Sequence, residues 1–128
     1  MDQKGIVRAV AARTSLSREE SADITRAVLA GLADQLSEGE ARRLATDLPG
    51  PLAEPLQVAR RRRKGAHPVR VGDFIRQVSA RTGLTEDDAR AGIAAVFAVL
   101  REALSEEDYN HLIGQLPAGY TGLVEAAT

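Results

Sequence analysis

The chain has 128 residues, a formal net charge of −1, 15 Arg against two Lys, and no Cys. The length allows one domain or two small lobes sharing a core, large enough to bury about two thirds of the unfolded surface without help from a metal or disulfide. Absence of Cys excludes disulfides, thiolate metal sites and thiol catalysis together, and no apolar run approaches the roughly 18 residues needed to span a bilayer.

Met1-Asp2-Gln3-Lys4 lacks the apolar core of a signal peptide, so a cytoplasmic setting is expected. The Arg-rich, Ala-rich composition points to a GC-rich bacterial genome. A first helix is predicted from Ile6, Val7, Val10 and Ala11, and it runs out at Arg13-Thr14. Ser17-Arg18-Glu19-Glu20 then reads as a capping box opening a second helix with Ile24, Val28, Leu32 and Leu36 on one face. Ser37-Glu38-Gly39-Glu40 opens a third, carrying Ala41, Leu44, Ala45 and Leu48 and stopped by Pro49. A short fourth turn is expected near Pro51 to Leu56.

A basic linker follows over residues 57–70, containing Arg60, Arg61, Arg62, Arg63, Lys64 and Arg70, with Gly65 and Pro68 marking a break. Residues 1–56 carry 7 basic and 9 acidic groups, residues 57–70 carry 6 and none, and residues 71–128 carry 4 and 9. A basic strap therefore joins two acidic halves.

After the strap the pattern starts again. Residues 6–56 match residues 74–124 at a constant offset of 68, without a gap, and 16 of 51 paired positions are identical. Phe74, Ile75 and Val78 mark the next helix, and Ile93, Val96, Leu100 and Leu104 the one after it. Tyr109, Leu112, Ile113 and Leu116 complete the second triplet before Pro117, with a final turn near Gly119 to Val124. Thr85-Glu86-Asp87-Asp88 and Ser105-Glu106-Glu107-Asp108 stand where the capping boxes stood, and the shorter Asp weakens the reciprocal bond while keeping the cap. All four aromatics, Phe74, Phe97, Tyr109 and Tyr120, lie in this second half, where packing of a different core volume is the expected role.

The stretch Phe-Ile-Arg-Gln-Val-Ser-Ala-Arg-Thr-Gly-Leu-Thr from Phe74 to Thr85, the long Ala/Val/Leu helix ending Leu104-Ser105-Glu106-Glu107, and Gln115-Leu116-Pro117 resemble the bacterial family catalogued as domain of unknown function 2267. The likeness covers nearly the whole chain, including Ile6 to Leu52. It implies an all-helical fold and brings no catalytic residue, cofactor or substrate. Val10 to Leu36 also looks like the helical hairpin of HU-type nucleoid proteins, without the strands and basic arms that grip DNA.

Few residues offer chemistry. His67 reads as an exposed loop residue, and His111 as a helix-surface partner of Asp108. The acidic clusters are explained as first-turn residues favoured by the helix dipole. Arg13 and Arg81 complement the negative ends of their helices, bridge to acids on the next helix, or form a paired ligand site. For the strap, the alternatives are a solvated linker, with the Arg cluster free to extend a helix and pair with the acidic halves, phosphate contact with nucleic acid, and an anionic membrane or acidic protein surface.

The resulting expectation is an all-α protein of two pseudo-symmetric three-to-four-helix repeats, packed as one compact bundle or as two small lobes. Its expected role is a non-enzymatic module that binds a protein partner or forms a homodimer, with no cofactor, metal or catalytic residue implied. The alternative is a nucleic-acid-binding accessory protein that uses Arg60, Arg61, Arg62, Arg63, Lys64 and Arg70 on phosphate.

Overall fold

Short polar side chains set where the helices begin. A computed structural model describes the backbone of residues 2–62 and 68–126 and the side chains of 2–57 and 68–125. Helix α1 (Gln3–Ala12) starts at Asp2, whose carboxylate accepts from the Gly5 N–H at 2.7 Å. Helix α2 (Arg18–Gln35) has the complete capping box, Ser17 accepting from the Glu20 N–H while Glu20 accepts from the Ser17 N–H. Helix α3 (Glu38–Asp47) has only half of one. Ser37 caps the Glu40 N–H, but its own N–H donates at 3.0 Å to Gln115 from the other half of the chain, so the expected reciprocal bond is replaced by a long-range one.

Helix α4 (Gly50–Arg62) begins where Pro49 offers its carbonyl to the N–H groups of Leu52 and Ala53. It is much longer than the short turn expected from the sequence, and residues 57–62, assigned there to the linker, belong to it. The reason is propensity: past Pro55 no residue breaks the helix, and Gln, Ala and Arg are good helix formers. Helices α5 (Val71–Thr82), α6 (Glu86–Ala103) and α7 (Glu106–Gly114) follow, then a 3₁₀ turn at Ala118–Tyr120 and the short α8 (Thr121–Ala126). Thr85 and Ser105 cap α6 and α7 by accepting from the Asp88 and Asp108 N–H groups, with no return bond from the shorter Asp. No strand occurs among the described residues.

Helices α2 and α6 have 18 residues each and start 68 positions apart, matching the sequence offset. Each half closes its first helix in the same way. Thr14 and Thr82 donate back to the Val10 and Val78 carbonyls at 3.1 and 2.8 Å, and accept from the Leu16 and Leu84 N–H groups at 3.2 and 3.3 Å. This is the physical content of the recurring Arg-Thr pair: a hydroxyl that ends the helix and turns the chain into the next one.

The tertiary contacts then exchange the halves. Helix α1 packs on α2 and also on α6, while α5 packs on α6 and also on α2; α2 crosses α6, and α3 meets α7. One hydrophobic cluster runs from Ile6 to Leu123 and draws on both halves. Phe74, Phe97 and Tyr120 are among its largest fully buried side chains, each contributing on the order of 1.5–3 kcal/mol by burial, so the aromatics do serve as core. Close approach is possible because two helical glycines lie at the seam. A Cβ on Gly31 would stand 2.5 Å from the Phe74 ring, and one on Gly92 would collide with Ile24. Residues 24 and 92 are themselves equivalent by the offset, so the two central helices cross there with a large residue against none.

Candidate functional site

The basic strap is divided by the fold. Arg60, Arg61 and Arg62 form the end of α4, and Arg70 is an exposed N-cap of α5 without a side-chain capping bond. Arg63, Lys64 and His67 lie outside the described residues.

Arg13 and Arg81 prove to be seam residues. Arg13 pairs with Glu102 on α6, and Arg81 approaches Asp34 on α2 at 4.0 Å; the two acids are also 68 positions apart. The same ion pair is made twice with the halves exchanged. Because these groups are partly solvated, each pair is worth about 0–1 kcal/mol and registers the halves rather than binding a ligand.

A second polar seam joins α3 to α7. Asp47 on α3 lies close to Asp108 on α7, and partial desolvation, hydrogen bonding to Asp108 and the Asp108 charge push Asp47 up to about 6, with Arg43 pulling down and Glu40 pushing up. Arg43 also faces Asp108 at 3.8 Å. Asp108 is thus taken across the seam, and His111, expected to contact it, faces Glu107 on its own helix at 3.9 Å instead. Among the described residues no three acidic or His side chains are grouped to hold a metal ion.

A third link is buried. Tyr120 donates to the Val69 carbonyl at 2.7 Å and accepts from the Gln35 amide at 2.9 Å, while the Val69 N–H donates to Gln35 at 3.1 Å. This ties the end of α2, the segment entering α5 and the 3₁₀ turn into one knot. Burial raises the Tyr120 hydroxyl to about 12, against the opposing Gln35 hydrogen bond. The ring packs edge-on to Phe74 with centroids 5.6 Å apart.

Hollows open to solvent on the surface of the described residues. One of about 670 Å³ is lined by Glu106, Glu107, Asn110, His111, Gly114 and Gln115 on α7. Another, of about 530 Å³, lies where α6, α7 and α8 converge, with Tyr109, Ile113, Val124 and Arg101 in its wall. A third, of about 350 Å³, separates α1 from the start of α2 and carries Lys4, Arg8 and Arg18. A family model described as uncharacterized conserved protein (DUF2267) matches residues 3–123. The chain belongs to that family. No curated protein matches it.

Membership assigns no site, so the hollows must be read from their own residues. The two halves differ at the α7–α8 hollow. In the first half α4 packs closely on α3, which carries the small Ala41 and Ala45 at the positions where α7 has Tyr109 and Ile113; α7 makes no comparable contact with α8. The Tyr109 hydroxyl is buried with no hydrogen-bond partner, and burial raises its pKa against the lowering effect of Arg101. Sequence reading missed this hollow, although its signal was available: Ala at 41 and 45 against Tyr and Ile at 109 and 113. The basic hollow was missed because its three cations come from two helices.

Proposed function

We propose that the protein is a small non-enzymatic interaction module that seats a helix of a protein partner, or of a second copy of itself, in the open α7–α8 groove. The observation that carries this reading is the groove wall: Tyr109, Ile113 and Val124 stand beside α7 without the covering helix that α3 receives from α4. We read the chain as a tandem duplication whose second copy left this face open, acting in the bacterial cytoplasm. Among the described residues no helix is long and apolar enough to cross a membrane.

Sedimentation velocity over a wide concentration range tests the self-association arm. Wild-type protein should shift to a heavier species as concentration rises, and Ile113→Glu, with melting unchanged, should remain monomeric. Monomeric wild-type protein throughout would remove the second copy as the occupant.

A nucleic-acid role is the second reading, favoured by the six cations of residues 57–70 with no acid among them. Each phosphate neutralised would steepen the salt dependence of duplex DNA binding by a log–log slope of about 0.9. Changing Arg60 to Arg63 to Ser should abolish such binding. Absence of any DNA shift at low ionic strength would end this reading.

A further inference from the structure

The hollow between α1 and α2 concentrates cations where helix electrostatics disfavour them. Lys4 and Arg8 are four apart on α1, so their like charges adjoin on one face, which weakens a helix rather than supporting it. Arg18 is the first residue of α2, at the positive end of that helix dipole. All three line the same hollow, with Gln3, the buried Val7 and the half-buried Ala22 completing it.

None of the carboxylates nearest in sequence, Asp2, Glu19, Glu20 and Asp23, forms an ion pair with them: Asp2 accepts from the Gly5 N–H, Glu20 from the Ser17 N–H, and Asp23 pairs with Arg26. No described acid comes within ion-pairing distance of Lys4, Arg8 or Arg18, which share this with Arg70, Arg90 and Arg101, but only these three line one hollow together. The offset of 68 supplies a control. The positions equivalent to Lys4, Arg8 and Arg18 are Gly72, Arg76 and Glu86; Arg76 is neutralised by Asp73, and Glu86 suits its helix dipole. Scaffold needs are met in the second half without a basic cluster.

We propose that this hollow binds a phosphate ester with an apolar body, its phosphate held by Lys4, Arg8 and Arg18 and its apolar part lying on Val7 and Ala22. Three donors of positive charge suit a multiply charged oxyanion, and Arg presents a fork that matches phosphate oxygens in pairs. The volume of about 350 Å³ is in the range of small-ligand sites. A free small ester and the headgroup of a phospholipid share this chemistry.

The test is titration of the full chain with inorganic phosphate, with hexyl phosphate, and with vesicles containing phosphatidic acid, followed by amide NMR shifts and vesicle co-sedimentation. Hexyl phosphate should bind more tightly than inorganic phosphate, with shifts confined to residues 3–8 and 18–22, and with salt weakening it. Binding to hexyl phosphate without vesicle binding identifies a free ester, and binding to both identifies a lipid headgroup as an accessible source. Arg18→Glu, which installs the residue type of the second half, should weaken binding by roughly tenfold or more while raising the melting temperature of the unliganded protein. No shift with any probe, equal affinity for inorganic and hexyl phosphate, shifts spread over Arg70, Arg90 and Arg101, or unaltered binding by Arg18→Glu would each overturn the proposal.

Discussion

Gly31→Ala should destabilise the protein although the position lies inside a helix, where Ala is normally preferred. The added Cβ would meet the Phe74 ring at 2.5 Å from Cε1 and 3.3 Å from both Cδ1 and Cζ. Phe74 is fully buried and held edge-on by Tyr120, so the ring has no free volume into which to retreat. Overpacking of this kind costs about 1–3 kcal/mol, and the better helix propensity of Ala returns about 1 kcal/mol at most. With the full return a net loss of up to about 2 kcal/mol is left, a fall in melting temperature of several degrees at the upper end for a chain of this size. Urea denaturation followed by circular dichroism measures it. Gly39, with open space around its Cβ position, is the control: Gly39→Ala should be neutral or mildly stabilising. Adding Phe74→Leu should cost less in the Gly31→Ala background than alone, since it vacates the collision. If Gly31→Ala stabilises as Gly39→Ala does, or if the two changes add, the tight crossing of the halves is wrong.

Tyr120→Phe should cost about 1–3 kcal/mol, because it strands the buried Gln35 amide and the Val69 carbonyl; a loss below about 0.5 kcal/mol would mean the knot is not formed. Ser21→Ala should be neutral or stabilising, since the buried Ser21 hydroxyl has no partner and the equivalent residue is the fully buried Ala89; a marked loss of stability would reveal an undetected bond. For Asp47 the folded pKa of about 6 exceeds the ordinary 3.8, so the folded state holds more protons between those values and stability falls as pH rises through that window. Asp47→Asn should flatten that decline in denaturation curves taken from pH 4 to 7, and an unchanged profile would remove Asp47 from the α3–α7 contact.

Local features were readable from the sequence because their physics is local. The caps at Ser17, Ser37, Thr85 and Ser105 and the helical faces need only neighbours three or four positions away. What escaped is set by contacts far apart in the chain: Arg13 meets Glu102 and Gln35 meets Tyr120 across 89 and 85 positions. A signal for the first did exist, since Arg13 and Arg81 recur with Asp34 and Glu102 at the same offset and the same signs. Gly31 and Gly92 carried none, because a glycine in a helical pattern does not announce which ring or methyl lies over it. The extent of α4 was only partly legible: the charge of the Arg run suits a solvated linker as well as an extension of a helix, and the good helix propensity of Arg favours the second.

Quantitative affinity capture from the native host, with wild-type protein and Ile113→Glu as parallel baits and a differently tagged second copy present, tests the interaction reading most directly. At least one protein, the second copy included, should be enriched on the wild type and lost on a variant that melts like the wild type. Identical captured sets on the two baits would rule out the α7–α8 groove as the docking face.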